Sequence, residues 1–234
     1  MNLCYPNKSV LSCGSCCGIF NLNLNKKEIT LLLFQRTEEF NEYVDFQVQH
    51  TIPAYRQSRE KKEEHITKKD ETTYNCPFLG YLEDQSKIGC MIHPNRTNDP
   101  LSQNFSFYGS SICQGYQCKN RENPFSYQWS QLFQEVAVNS IEYSQMSADH
   151  QLIRVIESFF LKAKIEIHSL FYEHREKIKI LISEYNNAHG FNGQLTSFEI
   201  GLNSGEIEES FLEKLSKLLD KNSPSLAWLE SLII

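Results

Sequence analysis

Apolar side chains recur every three or four positions along several stretches of this chain, and the breaks between those stretches divide it. Ile29, Leu32, Leu33 and Phe40 fall on one helical face, and Asn25 stands three residues before Glu28 as an N-cap arrangement, which predicts a helix near 26–44. Pro53 suits the first position of another helix. Residues 56–71 then mix eleven charges of both signs, Glu63 and Glu64 among them with His65 alongside, the pattern of a solvated helix or a mobile linker. Residues 93–111 are rich in Asn, Ser, Pro and Gly, which predicts a loop with little regular structure.

Beyond Trp129 the helical period dominates. Leu132, Phe133, Val136, Ala137 and Ile141 make an apolar face, and after a break near 147–149 a longer pattern runs from Leu152 to Tyr185, with Gly190 as its C-terminal stop. A single helix over 149–188 would be about 60 Å long at 1.5 Å per residue, which leaves room for a kink or break inside it. His174 lies on that stripe, where a satisfied core histidine is the favoured reading. Asn203 with Glu206 predicts a further helix, and Ser223-Pro224 a short last one carrying Trp228 and Leu229.

Composition changes this picture little. The 234 residues, 40% hydrophobic and 12% aromatic, suffice for one sizeable domain or two small ones. No run approaches the roughly 18 apolar residues of a membrane span, and the first residues lack the pattern of a signal peptide, so a cytoplasmic protein without membrane partners is expected. Charge changes it more: residues 1–124 hold 14 basic and 14 acidic side chains, whereas 125–234 hold 9 and 15. The net charge of −6 therefore belongs to the helical half, where it disfavours nucleic acid and leaves a protein partner as the expectation for that surface.

The strongest chemical signal is the cysteines. All eight lie in the first 118 residues, as Cys4, Cys13, Cys16 and Cys17, then Cys76, Cys90, Cys113 and Cys118: two sets of four, the number that a closed zinc site or an iron–sulfur cluster takes. Thiolates are soft ligands, and the two-residue gap from Cys13 to Cys16 lets both sulfurs face one ion from a tight turn. Neighbouring side chains diverge, so Cys16 and Cys17 are expected to serve two sites or to bridge two metals. Gly14 and Gly18 suit the turn and could offer amides to thiolate sulfur, while Lys26, Lys27 and the following helix N-terminus would offset negative charge. Eight cysteines in 234 residues are too few for a disulfide scaffold, and a reducing compartment would keep them free.

The order Cys-Gly-Ser-Cys-Cys-Gly, Cys76-Pro-Phe-Leu, Cys90-Met-Ile-His93 and Cys113-x-x-Tyr-x-Cys118 resembles the YkgJ-type cysteine-cluster family of zinc- or iron-chelating proteins over roughly residues 4–118. The resemblance implies that Cys13, Cys16, Cys17, Cys76, Cys90, Cys113 and Cys118 chelate the metal. Cys4 lies nine residues before Cys13 where the family has a shorter gap, and is the more distant candidate. His93 replaces a family Tyr and could add a ring nitrogen, although a surface or packing role is favoured; Gln117 replaces a Pro.

The resulting expectation is a mainly α protein: a loop-rich, metal-bound cysteine-cluster domain over 1–125, then a helical domain over 126–234. Its function is expected to be chelation of zinc or iron, as ions or as an iron–sulfur cluster. The alternatives are a metal-dependent enzyme, suggested by a related cysteine pattern associated with flagellin lysine N-methylation, and a thiol redox or metal-handling protein. No phosphate-binding glycine loop, G-x-S-x-G or H-E-x-x-H is present, so no catalytic residue can be named.

Overall fold

Asn25 and Glu28 close a capping box at the start of α1 (Lys26–Tyr43): the Asn25 side chain accepts from the Lys27 and Glu28 amides, and Glu28 accepts from the Asn25 amide at 2.7 Å. This computed structural model describes residues 3, 4, 6, 10–82, 86–116, 118–189 and 223–232. The buried face of α1 carries Ile29, Leu32, Leu33, Arg36, Thr37 and Phe40. It packs on a two-stranded antiparallel hairpin, β1 (Leu79–Tyr81) and β2 (Ile88–Cys90), in which Leu79 pairs with Cys90. Thr37 Oγ1 accepts from the Tyr81 amide at 2.7 Å and so ties helix to strand. Among the described residues the fold is mainly helical.

The charged run reads differently in three dimensions than along the chain. Its first part, 56–63, belongs to α2 (Thr51–Glu63), but Arg59 is only 3% exposed and the Glu63 side chain 11%, so this part is neither a wholly solvated helix nor a mobile linker. Arg36, reaching from α1 and 1% exposed, donates from Nε to Glu63 Oε1 at 2.9 Å and from its Nη1 to the Cys76 carbonyl at 3.1 Å. Arg59 donates to the same carboxylate at 2.7 and 2.9 Å and to Glu39 at 3.0 Å. Two guanidiniums thus share one buried carboxylate, which explains why a run of charges can lie against a core.

The loop expected over 93–111 contains short turns of helix, α3 (Pro94–Thr97), a 3-10 turn at Ser102–Phe105 and the start of α4 (Gly109–Gly115), and α5 (Lys119–Glu122) follows it. The apolar pattern from Trp129 onward forms α6 (Ser126–Val136) and α7 (Ser140–Ala148), the latter capped by Asn139. The long pattern after it is three helices: α8 (His150–Lys162), α9 (Ile167–Phe171) and α10 (Arg175–His189). Lys164 takes a left-handed conformation with φ 58°, and the Ile165 amide reaches back to the Phe160 carbonyl at 2.9 Å, a Schellman-type stop. Periodicity hides this break because Ile156, Phe160, Leu170, Ile178 and Leu181 all enter the same core. α11 (Pro224–Ser231) docks on α10, and its cap Ser223 donates to Glu184 at 2.7 Å. The expected Gly190 stop and the helix from Asn203 lie outside the described residues.

Leu3 and Leu11 are buried in the helical core with Trp129 and Phe133, so the amino-terminal segment is packed into the other half of the chain. Two smaller cores flank the hairpin, one around Ile29 and Leu33, the other around Phe40, Tyr55, Phe78 and Met91. Among the described residues no helix is long and apolar enough to cross a membrane.

Burial alone would push the Glu63 carboxyl up; its ion pairs with Arg36 and Arg59 outweigh this and hold it below the usual carboxylate value. The stability it contributes is therefore fully present above the unfolded value, about 4.3, and is lost as pH falls through the lower folded one. Glu63→Gln is expected to cost about 3 kcal/mol at pH 7 in urea denaturation. The gap to the wild type should narrow as pH falls below about 5, whereas parallel curves would contradict this role.

Candidate metal centre

The amino-terminal knuckle is a tight turn held from both sides. Gly14 precedes a 3-10 turn at Ser15–Cys17, and Gly18 closes it in the left-handed region with φ 75°. A Cβ at Gly18 would stand 2.4 Å from the Tyr74 carbonyl oxygen, so both conformation and space require glycine there. On one side α7 grips the turn through serines. The Gly14 amide donates to Ser144 Oγ at 2.9 Å, Ser15 Oγ donates to the Ser144 carbonyl at 2.8 Å, and the Ser12 amide donates to Ser140 Oγ at 3.2 Å. Ser12 Oγ also accepts from the Ile88 amide at 3.0 Å, which carries the connection on to β2.

On the other side lies the segment before β1. The Cys76 amide donates to the Cys17 carbonyl at 2.9 Å, and Asn75 Nδ2 donates to the Gly18 carbonyl. Asn21, fully buried, donates to the carbonyls of Asp70 and Thr73 and accepts from the Asp70 amide at 2.9 Å. Amides of Gly14 and Gly18 were expected to serve thiolates; instead Gly14 bonds to Ser144 and Gly18 to the Ser15 carbonyl at 3.0 Å. Lys26, expected to offset the sulfur charge, pairs with Glu142 of α7.

All eight cysteines are free thiols. Cys76 is buried, Cys16 is exposed and the other six are intermediate. The Cys17 thiol hydrogen-bonds with both Cys16 and Cys76; sharing that proton lowers the pKa of each neighbour and raises that of Cys17 well above the ordinary thiol value. Burial pushes Cys4 up to about 11, with Cys16 and Cys118 adding repulsion and Arg121 opposing it. Burial likewise raises Cys13, which also feels Cys4 and Cys16, and raises Cys90 to about 12, with Cys76 and Cys113 adding to it. Cys113 is raised by burial, with Cys76 and Cys16 as its sulfur neighbours. Cys118 is the N-cap of α5, and Asn120 of that helix donates from its side chain to the Ser147 carbonyl at 2.8 Å.

His93 is exposed and stands apart from this chemistry: it caps α3, its Nδ1 accepting from the Asn95 amide at 3.2 Å. His174 is half-buried against the rings of Phe160 and Trp228. Gln117 lies outside the described residues. Polar neighbours that sequence reasoning missed include Gln103, which donates to Cys90 Sγ at 3.7 Å, and Ser106, whose Oγ is 3.6 Å from Cys113 Sγ. The serine grip was also missed, although Ser140, Ser144 and Ser147 recur at helical spacing on α7.

The donors fit a soft metal in kind and number: eight sulfurs that would repel one another once ionised, so that a bound cation would favour the thiolate forms. Among the described residues no three His, Cys, Asp or Glu side chains are disposed to hold an ion. In comparisons with family models, with curated proteins and with solved structures, no match is found.

Ser144→Ala would strip the Gly14 amide and the Ser12 carbonyl of the hydroxyl contacts that seat the knuckle on α7. A loss of about 1–3 kcal/mol is expected in urea denaturation, and an unchanged midpoint would contradict the grip.

Proposed function

We propose that this chain is a metal-binding protein of the YkgJ type, in which Cys4, Cys13, Cys16, Cys17, Cys76, Cys90, Cys113 and Cys118 chelate zinc or iron, as ions or as an iron–sulfur cluster. One observation carries the reading: the knuckle is bonded to two other cysteine segments, the Cys13 amide to the Cys4 carbonyl and the Cys76 amide to the Cys17 carbonyl, although nothing in covalent connectivity brings Cys76 there. Neutral thiols can pack as small apolar groups, but a shared cation would give so many of them from separate segments a common role as thiolates. The departure at Cys4 does not remove that residue, since it lies beside Cys13, Cys16 and Cys118.

When bound, the metal supplies cross-links between loops. The chain's own residues bring the sulfurs into range and screen them from water. Binding of a structural zinc ion contributes roughly 10–16 kcal/mol at neutral pH, comparable with the whole stability of a domain, so folding and chelation are coupled in this reading. A reducing, cytoplasmic setting suits eight free thiols. The acidic helical half is then available to a protein partner.

Elemental analysis of protein purified without oxygen is expected to find stoichiometric zinc or iron, with brown colour and acid-labile sulfide if a cluster is present. Cys76→Ser should lower metal content and thermal stability together. A folded, metal-free wild type that takes up neither zinc nor iron would overturn the reading.

A further inference from the structure

Away from the cysteines, one cavity collects two opposite charges that no neighbouring side chain neutralises. Its volume is about 80 Å³, and it lies between α1, the end of β1 and α3, lined by Phe34, Glu38, Asn41, Tyr81, Leu82 and Arg96. We propose that it binds a small zwitterion of the α-amino acid class, with the ligand carboxylate on Arg96 and the ligand ammonium on Glu38.

The backbone sets the two charges on facing elements. Phe34, Glu38 and Asn41 are four and three residues apart on α1 and so share one stripe of that helix. Thr37, on the same helix, accepts from the Tyr81 amide and brings the end of β1 alongside. His93 caps α3, and Arg96 in that single turn reaches back toward α1. Its Nη2 donates to Asn41 Oδ1 at 3.5 Å, a long bond, and its Cζ stands 5.7 Å from the centre of the buried Phe40 ring.

An arginine resting on an aromatic face is held in place without being neutralised. Arg96 Nη1 is buried and has no hydrogen-bond partner, and the guanidinium forms no ion pair among the described residues. A carboxylate accepting from the Nη2 edge would offset this charge. Glu38, exposed on the other wall, also lacks a hydrogen bond or ion pair among the described residues, whereas Glu39 beside it takes both Arg59 and Lys62. Arg96 reaches Asn41, about one turn beyond Glu38, so the two charges do not meet each other directly. An anion alone would be repelled by Glu38 and a cation alone by Arg96, whereas a molecule carrying both charges satisfies both walls. Phe34 and Leu82 leave an apolar lining for the carbon atoms between those charges. The volume admits several water molecules or one ligand of the size of glycine or alanine.

Titration of the nitrogen-15-labelled full-length protein with glycine, alanine, acetate and methylammonium tests the site, and its outcome does not depend on the metal-binding reading. Glycine and alanine are expected to shift the amide signals of Asn41, Leu82 and Arg96 and to bind about tenfold more tightly than either singly charged probe. Glu38→Gln, a change at an exposed position, should weaken glycine about tenfold and remove its advantage over acetate. Arg96→Gln should abolish binding of glycine and acetate alike; because Arg96 also packs on Phe40, the comparison of probes in the wild type decides the matter if that variant fails to fold. Acetate binding as tightly as glycine would overturn the proposal. So would an unchanged glycine affinity in Glu38→Gln, or the absence of shifts around the cavity.

Discussion

The turn from Gly14 to Gly18 is clamped between α7 and the segment leading into β1, and the rest of the candidate centre depends on that clamp. Ser144 takes the Gly14 amide while Asn75 and Cys76 bind the carbonyls of Gly18 and Cys17. Because these contacts join residues more than fifty positions apart on one side and about 130 on the other, they cannot form until both parts of the chain have folded. The thiols nearest the turn are thus placed by tertiary structure, and a free cysteine-rich peptide of the same sequence would lack that placement. Gly18 is the one residue type that this crowding tolerates.

Around the clamp, sulfur chemistry and core packing reinforce each other. Arg36 illustrates the connection: one guanidinium satisfies the buried Glu63 carboxylate, fixes α1 against α2 and holds the Cys76 carbonyl. A buried arginine would be costly without such partners, and its position makes the charged helix α2 part of the support for the cysteine segment. Burial raises the pKa values of Cys4, Cys13, Cys90 and Cys113 and so favours neutral sulfurs there where no cation is near. A soft metal reverses that preference, which is the physical link between the packing and the proposed chelation.

Much of the fold was legible in the sequence, for local reasons. The Asn25–Glu28 capping box and the Ser223-Pro224 start are short-range signals, and both mark helices where expected. The break at Lys164 was not legible as a particular residue, since α8, α9 and α10 turn their apolar faces to one core and leave the period uninterrupted. Arg59 and Glu63 looked solvated because charge composition is local, whereas their burial depends on Arg36 and Glu39 contributed by another helix. For the site, cysteine spacing revealed which residues to watch but not how they group. The path of the backbone, which returns the Cys76 amide to the Cys17 carbonyl, is not written in that spacing. The serines of α7 escaped notice for a similar reason: their partners lie in another segment.

X-ray absorption at the metal edge of anaerobically prepared protein tests the central claim most directly. The account predicts a first shell of sulfur alone, close to four per metal, at about 2.3 Å for zinc. A shell dominated by nitrogen or oxygen would mean that the gathered thiols serve some purpose other than holding the ion.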